Sequence, residues 1–265
     1  MNIYRHELKA YRKSLISWII ALVGINVLMM AMFPTFSKDA ESLISLLSNM
    51  PDALLAAMGI HIDTITSVLG FYGYIFVYIL LGGAIQAMLL GTSILSKEVR
   101  EKTADFLLTK PVTRQTIVSS KVCAALTALL ITNVIYTGAA CVTASLVSEQ
   151  DFSMKLLILA TLPLLFVQLI FFATGLLASV LWPKMRTVLP VSLGVVFAFF
   201  LIGALGATTG DDKLRTLTPF KYYDTTYIVE HAGYEMAYVV ISVVWFVLAM
   251  IASYIIYMKR DVQAV

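Results

Sequence analysis

The chain has 265 residues, of which 60% are hydrophobic and 13% charged, with a formal net charge of +3. Soluble domains carry about 45–50% apolar and about 25% charged residues, so a single soluble core of this length is excluded. The apolar residues cluster into runs long enough to cross a bilayer, about 20 residues of helix each, and the two-residue alternation of a membrane barrel is absent. The composition predicts an all-α polytopic membrane protein, one transmembrane domain over residues 1–265.

The first element is "MNIYRHELKAYRKSLISW". Tyr4, Leu8, Tyr11 and Leu15 recur at helical spacing, and Arg5, His6, Lys9 and Arg12 take the other side. This predicts an interfacial helix over 1–14, lying in the membrane surface before the chain turns into the first span. The competing reading is a basic flank that only fixes topology. Six apolar runs follow, at 15–36, 67–95, 121–147, 157–182, 187–207 and 236–258. None has a formal charge in its central part, where one would cost about 2.5–3.5 kcal/mol. The first is too long for the apolar core of a signal peptide, and no small-residue cleavage site follows it. The second exceeds the hydrocarbon layer, so it must tilt or project into water.

Of two segments outside the spans, 37–66 holds short apolar stretches broken by Asn49, Pro51 and Gly59, and 208–235 is rich in tyrosine. They predict short interfacial or re-entrant helices rather than a folded extracellular domain. Six spans put both termini on one side. That side holds 14 of the 19 Lys and Arg residues, in segments 1–14, 96–121, 183–186 and 259–265. The positive-inside rule makes it cytoplasmic.

Chemistry is sparse. There is no phosphate-binding G-x-x-x-x-G-K-[ST], no H-E-x-x-H and no G-x-S-x-G. His6, His61 and His231 lie outside the spans. Cys123 and Cys141 fall 18 residues apart in one predicted helix, about 27 Å along its axis, and read as buried inert thiols. The mid-span polar residues Asn26, Gln86, Asn133 and Gln168 are uncharged. They read as hydrogen bonds between helices, with substrate contact as the alternative. Gly82-Gly83 and Gly203 with Gly206 permit close helix approach. Nothing in the spans supplies an energy source, and nothing suggests nucleic-acid binding.

The central segment 96–121, "SKEVREKTADFLLTKPVTRQTIVSSK", carries nine charged residues in 26. Its apolar knot, Phe106-Leu107-Leu108, is not explained by topology. Lys110 precedes Pro111, so a helix over 97–110 should stop there. Thr113 is a candidate cap for the helix that enters the third span. A short helix with an apolar centre ringed by charge suits a groove on another protein, and chance amphipathicity at the membrane surface is the competing reading.

This stretch resembles the ABC-2-type permeases of ABC transporters, whose corresponding segment reads like E-R-E-x-G-T-x-E-x-L-L-x-x-P-V-S-R. Glu98, Arg100, Glu101, Thr103, Phe106, Leu107, Leu108, Pro111, Val112, Thr113 and Arg114 match. Lys102 stands where glycine is common, and Asp105 replaces glutamate. "LTPFKYYD", residues 217–224, also looks like the family's segment before its last span. The resemblance implies the six-span ABC-2 fold of type V exporters with its interfacial N-terminal helix, in a multi-pass protein of a bacterial cell membrane. It further implies a second permease copy, identical or related, and a separate cytoplasmic ATPase that binds ATP and Mg; this chain itself would hold no cofactor or metal and would not be an enzyme. Residues 97–110 would be the coupling helix. Glu98, Arg100, Glu101, Thr103, Asp105 and Arg114 would make polar contacts, Phe106, Leu107 and Leu108 apolar ones, and Pro111 would set the break. Lys184 and Arg186 would give a second contact. The function implied is export of a hydrophobic or amphiphilic substrate. A non-transporting sensor or scaffold, and an intramembrane enzyme, are the alternatives.

Overall fold

A computed structural model describes residues 3–100, 113–148, 151–182 and 187–259. Among them the regular structure is helical throughout. The elements are α1 (Ile3–Met30), α2 (Phe33–Lys38), α3 (Ala40–Ser48), α4 (Asp52–Met58), α5 (Val68–Arg100) and α6 (Arg114–Val147), then α7 (Met154–Thr161), α8 (Pro163–Leu181), α9 (Val188–Thr209), α10 (Asp212–Leu217), a 3₁₀ turn (Pro219–Lys221), α11 (Thr225–His231) and α12 (Met236–Lys259). Six helical stretches are long and apolar enough to cross a membrane: α1 with α2, α5, α6, α7 with α8, α9, and α12. They coincide with the six apolar runs. Ile3 and Lys259 therefore share one end of the bundle, here the terminal end; α3, α4, α10 and α11 lie at the far end.

The longest interface joins α5 to α8, and these form the centre. α1 lies along α6, α12 along α8, and α9 against α5 and α4. The most apolar window of the α7–α8 stretch is 61% buried, whereas those of α1 and α12 are 17% buried. The peripheral helices thus offer rows such as Ile20, Leu28, Val240 and Leu248 to lipid or to another protein. The α5–α8 contact is backbone against backbone. A Cβ added to Gly91 would fall 2.2 Å from the Phe172 carbonyl oxygen, and one at Gly175 would fall 2.6 Å from that of Met88. Gly82 and Gly83 admit Leu22 and Leu164 in the same manner, while Gly203 and Gly206 admit Thr218 and Leu214 of the returning far-end segment.

Proline sets two discontinuities. α1 stops at Met30 and α2 resumes with Pro34 in its first turn, where a missing N–H costs nothing. The fourth span is jointed at Pro163, which has no N–H for the carbonyl four residues earlier, that of Leu159. The Tyr234 hydroxyl donates to that carbonyl instead, at 2.7 Å.

The turn expected between residues 14 and 15 is absent. α1 is one helix of 28 residues, about 42 Å long against about 30 Å of hydrocarbon. The predicted amphipathic face is real but serves packing. Tyr4, Leu8, Tyr11 and Leu15 are partly buried and lead without interruption into Trp18, Leu22, Asn26 and Met30. A stripe that continues in register has no reason to bend. The thiols also depart from expectation, since Cys123 is exposed and Cys141 only half-buried, packed against the core from α6. Tyr222 and Tyr223 are buried, Tyr223 stacking on Phe166 of α8 and Tyr222 on Tyr238 of α12, because the far-end segment folds back into the bundle.

Candidate functional site

Two polar clusters occupy the middle of the bundle. Gln86 of α5 donates to Thr132 of α6 at 2.9 Å and accepts from Gln168 of α8 at 3.0 Å. Gln168 accepts from Asn133 of α6 at 2.6 Å. Nearer the far end, Asn26 of α1 donates to Thr143 of α6 at 2.8 Å and accepts from Tyr136 at 3.4 Å. Tyr136 shares a hydrogen bond with Tyr72 of α5, which shares another with Thr161 of α7. Asn26, Gln86, Asn133 and Gln168 thus all join helices. Sequence reading missed their partners Tyr72, Tyr136, Thr132, Thr143 and Thr161, since tyrosine and threonine are common in spans and give no periodic signal. Among the described residues no buried side-chain nitrogen or oxygen lacks a partner.

A cavity of about 670 Å³ opens between α1, α5 and the start of α9, in the terminal half of the bundle. Apolar side chains such as Leu15, Trp18 and Leu89 share its wall with Tyr11, Ser14, Gln86, Ser93 and Thr187. Gln86 therefore belongs to both the inter-helix network and the cavity.

The terminal end is where α5 and α6 project. They have 33 and 34 residues, about 50 Å each, so both outrun the hydrocarbon layer. α5 remains helical through Glu98 to Arg100, and α6 begins at Arg114. The Thr113 hydroxyl caps α6 by accepting from the Thr116 amide at 3.3 Å, as its position before the helix suggested. The two helices frame the segment between them. Glu101, Thr103, Asp105, Phe106, Leu107, Leu108 and Pro111 lie outside the described residues, as do Lys184 and Arg186 and the expected helix end at Pro111.

Beneath that frame the helix bases are tightly packed. Ile94, Leu95, Ile117, Val118, Val122 and Ala125 are buried. So is Lys121, only 2% exposed. Its Nζ lies 3.2 Å from a Glu7 carboxylate oxygen of α1 and donates to the Ile94 carbonyl of α5 at 3.1 Å. The Tyr4 hydroxyl donates to Thr127 of α6 at 3.1 Å. At the other edge Tyr254 of α12 donates to the Gln115 carbonyl at 3.1 Å and is paired with Ser119. Sequence reading counted Lys121 only as a topology charge. A lone lysine on the helix face that also bears Ile117, Val118 and Val122 was the available signal.

The far end carries the "LTPFKYYD" segment. Arg215 pairs with Glu235, donates to the Lys221 carbonyl at 3.2 Å and lies 4.5 Å from the centroid of Tyr238. Burial lowers the Lys221 pKa; Asp224 opposes that shift and Arg215 adds to it. Burial also raises the hydroxyls of Tyr222, Tyr223 and Tyr234, the last to about 12. Of these groups, Arg215 and Glu235 neutralise each other. Among the described residues no three His, Cys, Asp or Glu side chains are grouped to hold a metal.

No curated protein matches the sequence. The family profile described as "ABC-2 family transporter protein" matches residues 1–262. With its six apolar helices and its projecting α5 and α6, the chain is a multi-pass transmembrane permease subunit and belongs to the ABC-2 transporter family.

Proposed function

We propose that the chain is one of two permease subunits of an ATP-driven exporter for a hydrophobic or amphiphilic substrate, worked by separate cytoplasmic ATPases. The supporting observation is the pair of helices that leave the apolar layer together. α5 and α6 end on either side of residues 101–112, and their bases are close-packed below. Force applied to such a segment reaches the bundle centre along two stiff rods, and α5 carries it to α8 across the glycine crossing. The ATPases bind ATP and Mg. Glu98, Arg100, Glu101, Thr103, Asp105 and Arg114 meet them with polar groups, Phe106, Leu107 and Leu108 with apolar ones, and Pro111 makes the break. Lys184 and Arg186 form a smaller second contact.

The distribution of basic residues supports a cytoplasmic terminal end, with residues 37–66 and 208–235 outside, in the bacterial cell membrane that the family resemblance implies. The cavity beside Gln86 then opens in the cytoplasmic half. Its volume lies within the roughly 300–1,000 Å³ of ligand sites, and its mixture of apolar wall and scattered hydroxyls suits an amphiphile. Closing of the ATPases draws the loops of two permease copies together and reorients the spans, so that the pathway opens outward.

The test is replacement of Phe106 and Leu107 by Asp in the full chain expressed with its neighbouring ATPase. The expected result is loss of ATPase co-purification and of transport, with the permease still in the membrane. An intact, transporting complex would overturn the proposal. So would labelling of Asp105→Cys by an impermeant reagent added outside intact cells.

A further inference from the structure

Among the described residues Lys121 is the one lysine buried as completely as a core leucine. A buried ammonium is retained only where its charge and its protons are all met. Here the partners come from two other helices. Glu7 of α1 supplies the counter-charge at 3.2 Å, and the Ile94 carbonyl of α5 accepts at 3.1 Å. That carbonyl lies within two turns of the end of α5, and Lys121 lies two turns into α6. The three-way contact therefore sits beside the end of α5 and the start of α6, the two helices that residues 101–112 connect. Glu7 is itself only 12% exposed, so the pair is shielded from solvent and screened little by salt. Tyr4 and Thr127 make a second α1–α6 contact, about one turn away along α1 and nearly two turns away along α6.

We infer that Lys121 is a positioning residue, a strut that makes the first turns of α1, the end of α5 and the start of α6 move as one body. A displacement of the segment 101–112 then carries α1 with it, and α1 forms one wall of the 670 Å³ cavity. Without the strut, α5 and α6 still respond, but the cavity wall lags. The mechanical part is a property of the chain alone; its consequence for transport rests on the coupling proposed above.

The experiment separates the two. Spin labels are placed on Cys123 and on Lys9→Cys, both exposed positions, in a Cys141→Ser background, and their separation is measured by pulsed electron spin resonance in the full chain in lipid discs. A single narrow distance is expected for the parent and for Lys121→Arg, which keeps the cation and its donors. Lys121→Met should broaden or lengthen it. In the complex with its ATPase, Lys121→Met should retain ATP hydrolysis and lose roughly threefold or more of transport per ATP, the size seen for coupling networks. Lys121→Arg should restore that ratio. If Lys121→Met fails to fold, Glu7→Gln carries the same comparison. An unchanged distance in Lys121→Met or Glu7→Gln overturns the strut. A changed distance with no ATPase partner for the parent chain keeps the strut and overturns the coupling reading.

Discussion

Alanine at Gly91 tests whether α5 and α8 touch through their backbones. The added Cβ would lie 2.2 Å from the Phe172 carbonyl oxygen and 2.9 Å from the Leu176 nitrogen, where ordinary contact begins near 3.4 Å. The helices must part by about 1.2 Å, which is 3.4 minus 2.2. The obstacle is backbone on a buried helix, so no rotamer change relieves it. Overpacking a closed interior costs about 1–3 kcal/mol, and a gap of this size also forfeits up to half of each dispersion contact along the seam. The upper figure, about 3 kcal/mol, corresponds to a fall of roughly 6–12 °C in unfolding temperature for a chain of this size. Gly138→Ala is the control. Its Cβ meets nothing within 4 Å, so it should be neutral or raise stability by up to about 1 kcal/mol through reduced chain entropy. Thermal unfolding of both variants in the same detergent, followed by loss of the monodisperse peak, decides the matter. Unfolding of Gly91→Ala at the temperature of the parent would refute the backbone crossing. So would equal losses in both variants.

Gln168→Leu removes the acceptor used by Asn133 and the donor used by Gln86. At about 0.6–2 kcal/mol per membrane hydrogen bond it should lower the unfolding temperature by several degrees, measured in the same way. Burial raises the hydroxyls of Tyr222, Tyr223 and Tyr234, the last to about 12 against an ordinary 10.0. The fold therefore prefers the neutral form, a contribution fully present below pH 10 and lost as pH rises through 12. Unfolding temperature should decline above about pH 10.5, with a shallower decline in Tyr222→Phe, whose ring keeps its stacking.

Legibility followed the physics of each signal. All six spans could be located from the sequence, because mean hydropathy over some twenty residues needs no partner. The Thr113 cap was equally local, a hydroxyl beside the amides it serves. Asn26, Gln86, Asn133 and Gln168 stood out as polar side chains in oil, yet their partners did not, since Gln86 and Gln168 meet only after α5 and α8 cross. The bend after residue 14 was misjudged for a related reason. An amphipathic stripe looks the same whether it lies on lipid headgroups or on α6, and only the continuation into Leu22, Asn26 and Met30 distinguishes the two. The joint at Pro163 was visible as a proline, but the hydroxyl that completes it comes from 75 residues beyond the carbonyl it serves.

That separation has a consequence during synthesis. A ribosome adding about 5–20 residues per second needs about 4–15 s to travel from Leu159 to Tyr234. Throughout that wait the fourth span sits in the translocation machinery or the bilayer with one carbonyl unmatched, a condition hydrocarbon tolerates poorly. Leu159 lies within two turns of the start of α7 at Met154, shallow enough for water or headgroups to attend it until the tyrosine arrives. The same proline one or two turns deeper would hold its freed oxygen beyond the reach of water and headgroups for those seconds.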